Sequence, residues 1–226
     1  HHAIHLKAPN PRINVCQTIT TNTEWTLSNS PYVLTCVVSV SAGVTLTIDP
    51  GVVVEGAGNV GLYVQGTLLA QGTASQPITF TSANTSPAAG DWSGLFLDGS
   101  SASGSQLSYV AIQDAGRNYS QVINVPGTGN VTFYNWGGWA CTANGGGGPG
   151  GTGGSGCINA GLLANSATPT LSNLTISDSN GYGLLLKGGS FPALGGATIQ
   201  RSAATGVAVY ASMPTISASS IISNSG

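Results

Sequence analysis

Charge is what this chain has least of. Only 5% of its 226 residues are Asp, Glu, Lys or Arg, against about 25% in an average globular domain. Five Lys and Arg cannot build the basic stripe that holds nucleic acid. Histidine is missing from the interior, because all three (His1, His2, His5) sit at the N-terminus. No apolar run approaches the roughly 20 residues of a membrane-spanning helix. There is one Met, and Lys, Glu and Arg are nearly absent. What is present instead is Gly, Ser, Thr, Asn, Val and Ile, a composition that favours strands and tight turns. The polar surface must be made of hydroxyls and amides.

Four cysteines fall into two locally close pairs, Cys16 with Cys36 and Cys141 with Cys157. An even count in a Ser/Thr/Gly-rich chain points to disulfides and an oxidising compartment rather than to buried thiols. Metal ligation lacks its signals, since no C-x-x-C pair and no internal His accompany them. No cofactor is expected. The chain opens without an initiator Met or a signal peptide and reads as a processed or partial product.

Internal repetition carries the fold. Pro169-Thr-Leu-Ser-Asn-Leu-Thr-Ile176 and Gly181-Tyr-Gly-Leu-Leu-Leu186 are followed by Pro192-Ala-Leu-Gly-Gly-Ala-Thr-Ile199 and Ala204-Thr-Gly-Val-Ala-Val209. A third unit starts at Pro214 and runs through Ile216 and Ile221. Leu171, Leu194 and Ile216 match, as do Ile176, Ile199 and Ile221, at a period of about 22–23 residues, within the solenoid range. Alternating apolar residues mark strands with one buried face. A single unit has too little apolar area to fold alone, so units must stack. The leucine-rich signature L-x-x-L-x-L-x-x-N is absent. Upstream, Val44, Leu46 and Ile48 alternate, then Val52 and Val54, Leu62 and Val64, Ile78 and Phe80, Leu95 and Leu97. The stretch Leu107-Ser-Tyr-Val-Ala-Ile112-Gln-Asp114 lies over Leu171-Ser-Asn-Leu-Thr-Ile176-Ser-Asp178.

The run Trp25-Thr-Leu-Ser, Gly43-Val-Thr-Leu-Thr-Ile-Asp-Pro-Gly-Val-Val-Val-Glu55, Gly66-Thr-Leu-Leu-Ala-Gln-Gly-Thr73 and Pro77-Ile-Thr-Phe-Thr-Ser82 resembles the opening of bacterial secreted parallel β-helix repeat proteins of the pectate-lyase-like superfamily. The later Leu-Ser-Asn-Leu-Thr-Ile-Ser units resemble their regular coils. The resemblance covers about residues 25–226. It implies an all-β fold, a single-stranded right-handed parallel β-helix or β-solenoid, to which the segments that break the repeat add an N-terminal cap and a Gly-rich loop insertion. That superfamily holds polysaccharide-degrading enzymes, adhesins and structural proteins, so fold alone does not choose a function.

Two segments interrupt the pattern. Residues 1–36 are expected to form an N-terminal cap or docking segment, or a flexible leader, with a Cys16–Cys36 bridge tying it to the first coil; the β-helix then runs over 37–226. A loop insertion is expected at about 141–157, where Asn144–Gly156 is almost pure glycine and Cys141 and Cys157 stand at its base. Tyr134, Trp136 and Trp139 precede it. They are candidates for contact with a sugar ring or a neighbouring subunit, or for packing beneath the loop. The glycines do not read as a phosphate cradle, because no G-x-x-x-x-G-K-[ST] is present.

A β-helix enzyme acting on acidic polysaccharides needs clustered carboxylates, or Ca²⁺-binding acids with a basic residue. The seven acids here are Glu24, Asp49, Glu55, Asp91, Asp98, Asp114 and Asp178. No two are adjacent or two apart, and the Asp-Asp, Gly-His-Gly and Arg-x-Lys signatures of the resembled enzymes are missing. The expectation is therefore no catalytic residue and no enzyme. Asp178 and Arg201 share one repeat position and should sit on neighbouring coils about 4.8 Å apart, with Asp114 at the same position. That pair reads as a surface ion pair or a small charged site. Thr-x-Thr triplets at Thr18, Thr45 and Thr79 raise a minor alternative, an ice-binding β-solenoid, but they do not recur at the coil period. Asn84, Asn118, Asn130 and Asn173 open formal glycosylation sequons.

The functional expectation is an extracellular, secreted or cell-surface scaffold: a segment of an adhesin, stalk or self-assembling filament, possible homo-oligomerisation being by end-to-end coil stacking, since the sequence stops inside a repeat. The alternative is a carbohydrate-binding or polysaccharide-degrading protein with a glycan partner. Neither reading involves nucleic acid or a membrane span.

Overall fold

The computed structural model describes residues 11–58, 60–117, 120–125, 129–134 and 160–225, with the backbone alone for 120–125 and 129–134. Short strands recur in a fixed three-part order, and like strands pair in parallel down the chain. The first sheet runs Ile13–Val15, Tyr32–Leu34, Val53–Gly56, Ile78–Ser82, Val110–Gln113, Thr175–Ser177, Thr198–Gln200, Ser220–Ile222. The second holds Thr18–Ile19, Val38–Val40, Gly61–Val64, Gly94–Asp98, Ala160–Asn165, Tyr182–Lys187 and Val207–Tyr210. The third holds Thr23–Trp25, Thr45–Ile48, Thr67–Gln71, Gln106–Ser108, Thr170–Ser172, Ala193–Gly195 and Thr215–Ser217. The chain visits the three sheets in turn and climbs one rung per circuit. The described residues form a right-handed parallel β-helix of seven full rungs plus the first strand of an eighth.

The repeat read from sequence is the register of the sheets. Leu107, Leu171, Leu194 and Ile216 are successive partners in the third sheet. Ile112, Ile176, Ile199 and Ile221 are successive partners in the first. Leu62, Leu95, Leu162, Leu184 and Val207 line the second. These columns point inward and make one continuous buried cluster from Val15 to Ile199. Each fully buried Leu or Ile contributes about 1.5–3 kcal/mol relative to exposure. The stack is also where the backbone hydrogen bonds go, each rung pairing with those above and below.

The strands turn corners sharply. Tyr109, Asp114, Ser166, Asn173, Asp178, Arg201, Ala211, Ala218 and Ser223 all have positive φ and stand just past a strand end. Gly66 shows how tight a corner gets: a Cβ there would lie 2.1 Å from the Val44 carbonyl oxygen and 2.4 Å from that of Ser41.

The N-terminal boundary differs from the expectation. From Ile13 on, residues of the expected 1–36 segment are rungs of the stack, not a separate cap. Their strands are two or three residues long with few inward side chains (Val15, Ile19, Trp25), too few to show alternation in sequence. The Cys16–Cys36 disulfide joins the first rung to the second at the same corner, with Cα atoms 5.0 Å apart. The interruption after the Val110–Gln113 strand begins earlier than expected. Ser120–Val125 and Gly129–Tyr134 form an antiparallel hairpin outside the three sheets before the chain re-enters at Ala160. Cys141, Cys157, Trp136, Trp139 and the glycine run lie outside the described residues, as does the side chain of Tyr134.

Candidate functional site

The corner after the first sheet stacks three charged residues on successive rungs. Asp114, Asp178 and Arg201 each occupy the left-handed position that ends a strand, on successive rungs. Arg201 grips Asp178 with two parallel bonds, Nε to Oδ1 and Nη2 to Oδ2, both 2.7 Å. The pair expected from the repeat is therefore formed. Asp114 accepts a bond from Thr81 Oγ1 at 3.0 Å, and Asp91 accepts from Ser82 Oγ at 2.6 Å and from the Ala88 N–H at 2.9 Å.

Environment separates the three carboxyls. Burial pushes Asp114 up, and the negative charges of Asp178 and Asp91 add to the push, against bonds from Thr81 and the Ser82 backbone. The Arg201 guanidinium holds Asp178 below the usual carboxylate range. Burial works to raise Asp91, but bonds from Ser82, Ala88 and Asn84 with the nearby Arg117 outweigh it and the carboxyl lies low. Asp114 is thus the carboxyl that keeps its proton longest. Among the described residues no group of three or more His, Cys, Asp or Glu is placed to hold a metal ion.

A second polar feature lies on the outer face of the third sheet. Asn22, Thr23, Glu24, Thr45 and Thr47 line a shallow open groove of about 400 Å³. Asn22 Oδ1 accepts the Thr45 N–H at 2.9 Å, so its amide is partly committed to holding the rungs. Two of the Thr-x-Thr residues sit here, Thr45 and Thr47. Asn84 and Asn173, which open sequons, are exposed.

The outer face of the second sheet is different in kind. Tyr63, Phe96, Leu163, Leu185 and Ala208 are successive partners pointing away from the core, yet all are buried. Beside this apolar column runs a polar one, Asp98, Asn165, Lys187 and Tyr210. Asn165 Nδ2 donates to Asp98 Oδ1 at 2.7 Å, and Tyr63 Oη donates to Asp98 Oδ2 at 2.5 Å. Burial and then the Asp98 charge push the Tyr63 hydroxyl far above its ordinary value. Burial lowers Lys187, with Asp98 opposing. Sequence reasoning did not single out these residues. The signal was the shared ending of three strands, Leu95-Phe-Leu-Asp98, Leu162-Leu-Ala-Asn165 and Leu184-Leu-Leu-Lys187. The long interruption between Gln113 and Ala160 hides the first match.

A closed apolar core, rungs in register and polar ladders along the outer faces define a β-solenoid protein. The chain belongs to the pectate-lyase-like β-helix family, whose domain description, "Pectate-lyase like beta helix domain", matches residues 17–146, more than half of its length. No curated protein and no solved structure matches it.

Proposed function

We propose that this chain is a non-enzymatic extracellular scaffold, a segment of a surface adhesin, stalk or self-assembling filament. The observation that carries the reading is where a set of its polar and charged side chains is directed: from one rung to the next. Asp178 with Arg201, Asp98 with Asn165, Thr81 with Asp114, Gln71 with Gln106 and Ser39 with Thr18 each span neighbouring rungs. Arg12 and Glu55 form an ion pair from the first rung to the third. Side chains spent on holding rungs together favour a stiff support over a reaction centre. The disulfide between the first two rungs fits an oxidising, extracellular setting.

Negative-stain electron microscopy of the intact protein tests the assembly, and a polysaccharide panel with and without Ca²⁺ tests the chemistry. Rods of several stacked copies and no product support the scaffold. Strictly monodisperse monomers remove the filament version, and turnover removes the non-enzymatic one. The groove of hydroxyls, amide and carboxylate around Glu24 favours a second reading, glycan binding without turnover. Retention on a polysaccharide that Thr47→Ala abolishes would support it.

A further inference from the structure

We propose that Lys187 and Asn165 are joined by a side-chain amide bond that the protein forms on itself, with Asp98 as the acid–base residue. The three residues occupy one column on successive rungs, Asp98 facing Asn165 and Asn165 facing Lys187 in parallel register. The carboxamide is already sided. Its nitrogen donates to Asp98 Oδ1 at 2.7 Å. Its oxygen is turned to the next rung, where a Cβ on Gly188 would lie 2.6 Å from Asn165 Oδ1. Gly188, at φ +66°, is what lets the rung carrying Lys187 come this close. The carbon that would be attacked therefore stands between the carboxylate and the attacking rung, its leaving nitrogen against the acid.

The surroundings favour the reaction. Phe96, Leu163 and Leu185 precede the three residues by two positions on the same face and are buried. The three reacting residues are half-buried beside this column, which screens one side of them from water and strengthens electrostatic interactions there. Partial burial shifts Lys187 toward its neutral, nucleophilic amine. The Tyr63 hydroxyl fixes the other oxygen of Asp98.

The step needs no oxidant and no co-reactant. A proton passes through solvent from the half-buried Lys187 ammonium to Asp98. The freed Nζ adds to Asn165 Cγ, and the carbonyl pair moves to Oδ1. Asp98 returns its proton to Nδ2, the Cγ–Nδ2 bond breaks, and the oxyanion pair restores the carbonyl. Nζ gives up one further proton through Asp98 to the departing ammonia, which leaves as ammonium. One C–N bond forms and one breaks. The product staples the fifth rung to the sixth, at the point where the chain re-enters the stack.

Intact-mass spectrometry of the full chain tests this directly. The expected mass is lower than the sequence mass by one ammonia, beyond the hydrogens lost to disulfides. Proteolysis should then yield a branched peptide joining the segment around Asn165 to that around Lys187. Lys187→Arg and Asp98→Asn should each restore the ammonia and abolish the branch. An intact chain with no ammonia missing overturns the proposal. So does an ammonia loss that maps to a succinimide with no branched peptide. Both readings come from the unsubstituted protein, so a variant that fails to fold does not decide the matter.

Discussion

Leu68 lies in the core, and its backbone N–H is met by the hydroxyl of Ser105 on the next rung at 3.0 Å. The same device recurs around the stack. Ser30 Oγ accepts from Val53, Ser190 Oγ from Ala167, Ser219 Oγ from Ala197 and Asn224 Oδ1 from Ser202. This explains a composition poor in charge and rich in Ser and Asn. Corners cannot satisfy every backbone donor through sheet pairing, and a short neutral acceptor does it without the cost of burying an ion. Removing one should leave a buried donor unmet. Ser105→Ala is expected to lose about 1–3 kcal/mol in urea unfolding at unchanged m-value. Sequence showed the abundance of hydroxyls but not their work, because a hydroxyl that caps the next rung looks like one facing water.

Asp114 gives a residue-scale prediction with a sign. Its folded pKa is raised, so the folded state favours the protonated form. That contribution to stability is present below the unfolded value and is lost as pH rises through the folded value. Asp178 and Asp91 are lowered, so theirs is present above the unfolded value and is lost as pH falls through the folded one. Asp114→Asn keeps an acceptor for Thr81 and removes a negative charge facing Asp178 and Asp91. It should raise the thermal midpoint at pH 7, and the gain should shrink as pH falls through the raised folded value and vanish below the unfolded value of about 3.9, where Asp114 is protonated in both states. A variant less stable than the parent at pH 7 contradicts the assignment.

At the scale of the element, legibility followed strand length and regularity. The last rungs were readable position by position because Leu171, Leu194 and Ile216, with Ile176, Ile199 and Ile221, repeat at near-constant spacing. The first rung was not, since Thr18–Ile19 and its neighbours offer one or two inward residues each. Corners were readable only in part. Asn173 and Asp178 are familiar left-handed residues, whereas Arg201, Ala211 and Ala218 adopt the same conformation with no sequence signal. The cross-rung match of Asp98 to Asn165 was concealed by an interruption that no periodicity bridges. Corner geometry yields the sharpest element-level test. Gly66→Ala sets a methyl carbon against two carbonyl oxygens that belong to the backbone and cannot swing aside. It should cost on the order of 3 kcal/mol, read as a lowered urea midpoint, whereas Gly43→Ala meets no neighbour and should cost less, through its positive φ alone.

At the scale of the whole molecule, the buried core runs without a break from Val15, Ile19 and Trp25 of the first rung to Leu194 and Ile199 of the sixth and seventh.

The central claim is a stiff stack in which residues distant in sequence keep a fixed rung spacing. Thr47, Leu69, Gln106, Thr170, Ala193 and Thr215 form one outward column over the second to seventh rungs. Spin labels at Thr47 and Thr215, read by double electron–electron resonance, measure it. Five rung steps of about 4.8 Å predict a narrow distance distribution centred near 24 Å, widened only by the label linkers. A broad distribution, or a sharp one displaced by several rungs, would contradict the account.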